Sequence, residues 1–480
     1  MTGVLEASKP LPAISAPAAV FSKPNLLCWI AAAATSFHAA YSSWSSAWLM
    51  LFYLYALLQL TRVGSTRAAF YAGFAAGMLI AALQLAFFWR IFSAAAVTLW
   101  AVYAFWIGLF VALARGCLVR GATSWTLWLL PFLWCGLEYF RSELYYQRFS
   151  WLSPGYAFGL APWCAPFSVL GTYGVGFLLM LIACAALSAT QRLGTKALWL
   201  LLVVTTALLA AGWLARPGIE HPGSRQLRVA GLQLEFPTEK EVMVWLNELA
   251  RQHPEAELLV LSEYTLAGGP PVSLKDWCRT HHRHVIVGGK KPVSATEFDN
   301  TAFVISPDGQ IVFQQVKCVP IQFFRDGRPA TEQKVWNSPW GKLGICICYD
   351  LSYARVTDPL IEMGAEALIV PTMDVADWGK HQHELHARVG PVRAAEYRLP
   401  IFRLASSGIS QAISALGEVT ASAPCSGDAA MVTATLSLGN PGRRPLDRWL
   451  APFSTLVAGG TILWCVIPQR WLKRKTSGAC

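Results

Sequence analysis

The stretch KLGICICYDLSYARVTDP, residues 342–359, carries two cysteines, Cys346 and Cys348, at the end of a short apolar run. A run of this length bounded by polar residues is typical of a buried β-strand. Because side chains alternate between the two faces of a strand, both thiols would point the same way if the strand ran through both positions. The pattern alone does not distinguish the two sulfur atoms.

The chain around this stretch, residues 216–448, alternates short apolar runs with polar and helical stretches, which favours an α/β sandwich or layered sheet. The expected strands are LRVAGLQL, AELLVLSE, HVIVGGK, NTAFVISPDGQIVFQQVK, GKLGICICYD, GAEALIVPT and LPIFRLASS, and the Asp-Gly of SPDGQ predicts a hairpin turn. The expected helices are 239–253, 273–283, 354–363 and 381–397. We expect Gly390 and Pro391 to interrupt the last helix.

Three of these strands end in residues with complementary chemistry: Glu263, Lys317 and Cys348. In open α/β architectures the strand ends converge along one edge of the sheet. The carboxylate can accept the thiol proton, the thiolate can attack a carbonyl carbon, and the ammonium can stabilise the resulting oxyanion. Each residue alone is more often a solvated strand end or a small core residue, so the prediction depends on all three together.

Composition places the whole chain among membrane proteins. Of its 480 residues, 54% are hydrophobic and 14% are charged, the mean hydropathy is +0.40, and 21 are tryptophan. Several runs are long enough to cross a hydrocarbon core of about 30 Å. These predicted spans lie at about 25–40, 43–60, 69–89, 92–114, 123–140, 166–188, 197–215 and 449–468.

The distribution of lysine and arginine predicts the orientation of these spans, because cytoplasmic loops hold an excess of both. About twelve such residues fall on one side: Lys9, Lys23, Arg62, Arg67, Arg115, Arg120, Arg192, Lys196, Arg470, Lys473, Arg474 and Lys475. About three fall on the other: Arg90, Arg141 and Arg148. Both termini are therefore expected in the cytoplasm and the soluble segment outside it.

The predicted domains are a tail at 1–24, a seven-span membrane domain at 25–215, a soluble domain at 216–448, a closing span at 449–468 and a tail at 469–480. The soluble segment holds about 24 basic and 25 acidic residues, so the net charge of +11 belongs to the cytoplasmic loops and does not indicate nucleic-acid binding. The 12 cysteines are scattered and without zinc spacing, so neither a disulfide framework nor a metal site is predicted.

Several motifs together resemble the carbon-nitrogen hydrolase (nitrilase) superfamily and, within it, the bacterial apolipoprotein N-acyltransferases. They are GICICYD (344–350), GAEALIVPTMDVADWG (364–379), RAAEYRLPIFRLASSGISQAISALGEV (393–419), LEYFRSELYYQRFSWLSPGYAFG (137–159) and VLGTYGVGFLL (169–179). The resemblance covers nearly the full length. It implies an αββα nitrilase-like domain on the periplasmic side of the bacterial inner membrane, attached to about eight spans.

The resemblance also implies roles for the three strand-end residues. Glu263 matches the family's base, Lys317 its oxyanion-stabilising lysine and Cys348 its nucleophile, at the sharp turn where the strand ends. Cys346 is then expected to stay in the sheet. The implied reaction moves an acyl chain from a membrane phospholipid to Cys348 as a thioester, and then to the α-amino group of a lipid-modified lipoprotein N-terminus. No cofactor is implied, and a monomer is expected.

The sequence departs from the family pattern after the lysine. Relatives carry a second glutamate there, whereas KCVPIQFFRDG is about two residues shorter and has Gln322 and Phe323 near the expected acid. Asp326 is a nearby candidate substitute. The resemblance alone does not decide whether it takes that place.

Further candidates for substrate binding are Trp378, Glu138, Arg141 and Trp151. The spacing of Glu138 and Arg141 permits an ion pair on one helix face, and lipid headgroup contact is the alternative. Trp151, like Tyr156 and Trp163, fits an interfacial aromatic belt, with a place at the acyl entry as the alternative. The histidines of HQHELHAR (381–388) do not have metal-ligand spacing, so a polar helix beside the cleft is favoured and His386 is assigned no catalytic role.

Two alternatives to the acyltransferase remain open. One is a membrane-tethered nitrilase or amidase in which water cleaves the same thioester. The other is a lipid-binding or scaffolding relative whose site is degenerate, which the missing second glutamate would explain.

Overall fold

A computed structural model of the chain describes residues 23–43, 45–121, 124–193 and 225–467. The helices before residue 194 consist mainly of apolar residues, and in a bilayer a helix satisfies its own backbone hydrogen bonds. The α-helices are α1 (Lys23–Ala40), α2 (Leu49–Gln59), α3 (Thr66–Gln84), α4 (Phe87–Phe92), α5 (Ala96–Arg120), α6 (Leu130–Tyr139), α7 (Phe167–Leu193), α8 (Glu239–Gln252), α9 (Val272–His281), α10 (Ala354–Glu362), α11 (Lys380–Ala387), α12 (Val389–Tyr397) and α13 (Asp447–Val466).

Among the residues that the structure describes, four helical segments are long and apolar enough to cross a membrane. They are Thr66–Gln84, Phe87–Arg120, Phe167–Thr190 and Asp447–Val466, and the apolar helix Leu49–Arg62 is shorter. Helices α1 and α6 also coincide with predicted spans. The predicted span at 197–215 lies outside the described residues, as do most of the two tails. The total of eight spans therefore remains a prediction.

The soluble domain contains two six-stranded sheets. The strands are β1 (Arg225–Gln233), β2 (Leu258–Leu261), β3 (His284–Pro292), β4 (Phe298–Ile305), β5 (Ile311–Val316), β6 (Val335–Ser338), β7 (Gly341–Ile345), β8 (Ala367–Pro371), β9 (Ile401–Leu404), β10 (Ser410–Ile413), β11 (Val419–Ala423) and β12 (Ala430–Leu438). One sheet has the order β12-β1-β2-β3-β4-β5 and the other β11-β10-β9-β8-β7-β6. This confirms the predicted two-sheet nitrilase-like architecture.

Alternation along β1 shows how the layers pack. Leu227 and Val229 are buried in the core that also contains Phe402 of the second sheet, so they face the space between the sheets. Ala230 and Leu232 point the other way, into a core with residues of α8 and α9. Helix α12 contacts β9 and β10 of the second sheet. Helices therefore cover the outer face of each sheet while the inner faces pack together, and the order of layers is αββα.

The predicted hairpin is present: β4 and β5 pair antiparallel across the Asp308–Gly309 turn. The expected helix at 381–397 is divided, but at Arg388 and not at Gly390 and Pro391. Pro391 lies in the first turn of α12, where a residue without an N–H group leaves no intrahelical hydrogen bond unmade. The predicted position of the interruption was therefore wrong by about two residues.

Buried ion pairs join the soluble domain to the helical bundle. At the start of α13, Arg448 contacts Glu396 of α12 at 3.1 Å and Asp358 of α10 at 2.8 Å. Beside it, Asp447 accepts a hydrogen bond from the Tyr173 N–H of α7 at 3.0 Å. Gly171 is the kink that permits this approach, since its φ is +72° and a Cβ there would lie 2.2 Å from the Asp447 carboxylate. The end of α13 next to the soluble domain is thereby fixed against α7.

Basic residues mark the opposite end of the bundle. Arg120, the last residue of α5, donates to the carbonyl of Trp464 at 2.7 Å, near the end of α13. Arg115 donates to the Thr61 carbonyl at 2.8 Å. These arginines belong to the predicted cytoplasmic set, and they lie at the end of α13 away from the soluble domain.

Candidate active site

Glu263 and Lys317 lie together at the ends of β2 and β5. Lys317 donates from Nζ to Glu263 Oε1 at 2.8 Å, and both side chains are almost wholly buried. Asn300 of β4 donates to the same oxygen at 2.6 Å, and the Met373 N–H donates to Oε2 at 2.8 Å. A Cβ at position 288 would come within 2.6 Å of Glu263 Cα, so only glycine allows this close packing. Both carboxylate oxygens are therefore held in place.

A second carboxylate completes the cluster, and it belongs to Asp326. Its Oδ2 lies 2.7 Å from Lys317 Nζ and accepts from the Ile321 N–H at 2.7 Å. Its Oδ1 accepts from the Tyr264 hydroxyl at 2.7 Å and from Asn300 at 3.0 Å. The acid that contacts the lysine is thus the candidate substitute Asp326, while Gln322 and Phe323 stand near the position where the family pattern expects the acid. The loop after Lys317 brings an aspartate from farther along the chain onto the lysine.

Two carboxylates and one ammonium share this buried site, and their mutual charges fix their proton affinities. Burial, together with the charge of Asp326, raises the pKa of Glu263 despite the opposing effect of Lys317. Burial alone would lower the pKa of Lys317, but the two carboxylates hold it well above its usual value. Burial would raise the pKa of Asp326, but Lys317 lowers it. Glu263 is therefore the carboxylate of the pair that accepts a proton more readily.

Cys348 leaves the sheet where β7 ends. The strand stops at Ile345, and Cys348 has a φ of +53°, a left-handed conformation that is rare for a residue with a side chain. Its thiol lies 3.6 Å from the Met373 carbonyl. Burial and the nearby Glu263 carboxylate raise the pKa of the Cys348 thiol well above its usual value. The resting sulfur is therefore protonated, and attack on a carbonyl requires a base.

Cys346 has a different environment. Its backbone N–H still reaches the Ile369 carbonyl of β8 at 3.3 Å, and its side chain is fully buried in the core between the sheets. Asp350, two residues beyond Cys348, accepts from the backbone N–H of Ile347 at 3.2 Å and of Val319 at 2.7 Å. This carboxylate joins the turn at Cys348 to the loop after Lys317. Sequence reasoning assigned it no role.

A cavity of about 1000 Å³, part of it open to solvent, lies between the bundle and the soluble domain. From the bundle it is lined mainly by apolar side chains, among them Leu85, Phe88, Ile91, Leu99, Val102 and Trp106. From the soluble domain it is lined by Ile321, Gln322, Phe323, Phe324, Cys348, Tyr349, Asp374, Trp378, Gln382 and His386. The Cys348 side chain therefore borders a space whose opposite wall belongs to helices α4 and α5.

Three of the four predicted substrate-binding residues, Arg141, Trp151 and Trp378, line this cavity. Trp151 is 5% exposed, and Tyr156 is also buried, so the aromatic-belt interpretation of these two residues was wrong. The loop that carries them folds under the soluble domain, and Trp151 Nε1 donates to the Ser352 hydroxyl at 3.0 Å.

Glu138 is placed differently. It lines a smaller neighbouring cavity, which it shares with Arg141, Tyr103 and Trp134. No ion pair joins Glu138 to Arg141 in the part of the chain that the structure describes. Arg141 donates instead to the Phe149 carbonyl at 2.7 Å and lies over the Tyr103 ring at 5.1 Å. The ion pair that the spacing permitted does not form, because Arg141 lies in the π-turn that follows α6.

The histidine-rich helix α11 contributes two residues to the cavity wall, Gln382 and His386. His386 stacks on Trp151, with ring centroids 4.6 Å apart and planes 17° apart. Its Nδ1 lies 2.8 Å from Asp374 Oδ1. Arg403 donates to the other oxygen of Asp374 at 2.6 Å. These contacts fix the plane of the His386 ring and engage its Nδ1.

Two family models match separate parts of the chain. The apolipoprotein N-acyltransferase N-terminal domain matches residues 27–185, and the carbon-nitrogen hydrolase model matches residues 228–442. The boundary between the matches agrees with the change from the helical bundle to the two-sheet domain.

Curated relatives match across both parts. A protein named apolipoprotein N-acyltransferase from Shewanella oneidensis is 24% identical over 390 residues, which cover 69% of this chain and 73% of the relative. One of the same name from Geobacter metallireducens is 24% identical over 342 residues, which cover 61% of this chain and 65% of the relative. The second alignment thus spans just under two thirds of that relative.

Among solved structures, a carbon-nitrogen hydrolase from Helicobacter pylori is 19% identical and aligns with a TM-score of 0.39. The alignment covers 45% of this chain and 90% of that protein.

Proposed function

The chain belongs to the apolipoprotein N-acyltransferases and is an acyltransferase, and on this premise we propose that it acylates the N-terminal amine of lipid-modified lipoproteins. The acyl donor is a membrane phospholipid, and the transferred acyl group is held as a thioester on Cys348 between the two steps. One observation carries the proposal: the Cys348 side chain and apolar helices of the bundle line the same cavity. A soluble amidase has no need of such a wall.

The first step loads the enzyme. Glu263 accepts the Cys348 proton as the sulfur attacks the ester carbonyl carbon, and the Lys317 ammonium stabilises the oxyanion that forms. The carbon–oxygen bond then breaks, and the lysophospholipid oxygen leaves with the proton held by Glu263. A carboxylate with a raised pKa can both accept the proton from the Cys348 thiol and donate it to the leaving oxygen. Phe88, Ile91 and Leu99 offer the acyl chain an apolar surface, at about 0.8 kcal/mol per buried CH₂ group.

The second step releases the acyl group to nitrogen. The α-amine of the acceptor attacks the thioester carbon, the carbon–sulfur bond breaks, and an amide forms. The acceptor is itself lipid-anchored, so a cavity at the junction of bundle and soluble domain suits both substrates. Water in place of the amine would make the protein a hydrolase.

The placement in the cell is part of the proposal. The soluble domain lies at the end of α13 opposite Arg120 and Arg115. Because positively charged ends face the cytoplasm, this arrangement supports a multi-pass inner-membrane protein with a periplasmic catalytic domain. The proposed domain limits remain 25–215 for the membrane domain and 216–448 for the catalytic domain.

The test is turnover with defined substrates. We expect the purified full-length protein, given phospholipid with an isotope-labelled acyl chain and a diacylglyceryl-cysteine peptide, to form the labelled N-acyl peptide. Labelled free fatty acid in place of the peptide product would indicate the hydrolase. Binding of the peptide without product would indicate a non-catalytic lipoprotein-binding protein.

A further inference from the structure

The two ring nitrogens of His386 differ in their hydrogen bonding. Its side chain is 2% exposed, it lines the cavity beside Cys348, and stacking on Trp151 fixes the plane of the ring. Nδ1 is the nitrogen turned toward Asp374. Among the residues that the structure describes, Nε2 has no hydrogen-bond partner, although it is buried. A buried, unpaired nitrogen in a substrate cavity is a position where a ligand atom completes the hydrogen bonding.

The neighbours of Nδ1 decide where the proton lies. Asp374 Oδ1 is 2.8 Å away, and a carboxylate accepts strongly from an imidazole N–H. Arg403 Nη2 is 3.0 Å from the same nitrogen and donates one of its two hydrogens to Asp374 Oδ2 at 2.6 Å, but the Asp374 carboxylate is the closer of the two groups to Nδ1 and it is charged. We therefore assign the proton to Nδ1, which leaves the Nε2 lone pair free to accept.

The charges around the ring keep it neutral at rest. Burial lowers the pKa of His386, Arg403 and Lys317 lower it further, and Asp374 opposes them. Burial would raise the pKa of Asp374, but its contact with His386 and the charge of Arg403 hold that pKa well below its usual range. Arg141 and Arg148 of the bundle also line the cavity. The ionised Asp374 thus orients a neutral base whose protonated form it can stabilise.

The proton balance of the proposed reaction shows where such a base is needed. In the first step a single proton moves from Cys348 to Glu263 and on to the leaving oxygen, so Glu263 suffices. In the second step the acceptor arrives mostly as an ammonium, because an α-amine has a pKa of about 8. It must lose two protons to become an amide nitrogen. Glu263 can return one of them to the Cys348 sulfur, and the other needs a second acceptor.

We propose that His386 is a further catalytic residue, which accepts a proton from the acceptor's α-ammonium at Nε2 while Asp374 holds the ring. This inference rests on the proposed function. It assigns His386 to the amide-forming step only. Glu263 serves both steps.

The test separates the two steps in the full-length protein. Acyl-enzyme is formed by incubation with phosphatidylethanolamine and phosphatidylglycerol vesicles, and its mass is followed before and after addition of a diacylglyceryl-cysteine peptide between pH 6 and 9.5. We expect His386→Gln to load at the wild-type rate. Its transfer rate should fall about 10-fold at pH 7 and about 100-fold at pH 6, because the neutral amine is about a tenth of the total at pH 7 and about a hundredth at pH 6. The rate should recover by pH 9, where most of the amine is neutral.

Two controls exclude damage to the fold. His383→Gln changes a buried histidine of the same helix that does not line the cavity, and it should keep wild-type rates in both steps. Hydroxylamine, which is already neutral at pH 7, should discharge wild-type and His386→Gln acyl-enzyme equally fast.

The outcomes are distinct. Parallel pH profiles for wild type and His386→Gln, or equal losses in loading and transfer, overturn the role of His386. A wild-type protein that forms no thioester from phospholipid overturns the proposed function, and this inference with it.

Discussion

Asp326→Asn replaces the acid that the family pattern did not locate. Each hydrogen-bond partner of Asp326 is a donor, and the NH₂ group of an amide cannot accept from a donor. Lys317 Nζ and the Ile321 N–H donate to one carboxylate oxygen, and the Tyr264 hydroxyl and Asn300 Nδ2 donate to the other. All four neighbours are donors. The amide NH₂ of asparagine therefore faces two donors in either orientation, and two hydrogen bonds are lost along with the charge.

The loss affects both stability and rate. Removing one partner of a buried ion pair costs about 3–5 kcal/mol, and we expect that decrease in the free energy of unfolding. Without the Asp326 charge, the pKa of Glu263 falls, because repulsion between the two carboxylates helps to raise it. A weaker base removes the Cys348 proton less readily, and we expect loading from phospholipid to slow by about 10²-fold.

The assay pairs thermal unfolding in detergent with the rate of acyl-enzyme formation. Asp299→Asn is the matched control, since Asp299 forms a more exposed pair with Arg328 at 3.0 Å and should cost less than about 1 kcal/mol. Asp326→Glu keeps the charge and should recover part of the rate. Wild-type melting and loading in Asp326→Asn would refute the reasoning about this cluster.

Glu263→Gln removes the base, so the loading rate should fall on the order of 10²-fold or more. In wild type we expect the loading rate to decrease at low pH as Glu263 becomes protonated, and this decrease should be absent in Glu263→Gln. A pH–rate profile measures both effects. Lys317→Met should cost a similar factor in single-turnover loading, and full activity would remove the lysine from the mechanism. Cys346→Ala should cost roughly 1 kcal/mol in unfolding and keep turnover. Asp350→Asn should slow loading, because backbone N–H groups from two segments lose a charged acceptor.

The soluble fold was predictable where strands are apolar and turns carry their own signal. Strand β2 is buried on both faces throughout, and β1 is buried from Val229 onward, so their apolar runs stand out from the polar stretches beside them. The edge strand β11, VTASA, has exposed positions and no apolar run, and it was not expected. Such a strand is defined by its antiparallel pairing with β10, which one sequence does not display.

The site was predictable to the extent that strand ends determine it. Glu263, Lys317 and Cys348 each follow a strand, and sheet geometry brings such ends together. Asp326 lies in an irregular loop, so its approach to the lysine depends on loop packing that has no periodic signature. Likewise, the burial of Trp151 follows from how the bundle loop docks under the soluble domain, and the contact of Asp374 with His386 joins the segment after β8 to α11.

The most direct test of the central claim is the intact mass of the protein after incubation with labelled phospholipid and no acceptor. We predict one added acyl mass that hydroxylamine removes, and digestion should assign it to the Cys348 thiol. When a diacylglyceryl-cysteine peptide is added, the acyl mass should disappear from the protein, and the label should be recovered in the N-acyl peptide. Persistence of the acyl mass in Cys348→Ala, or its location on Cys346, would contradict the account.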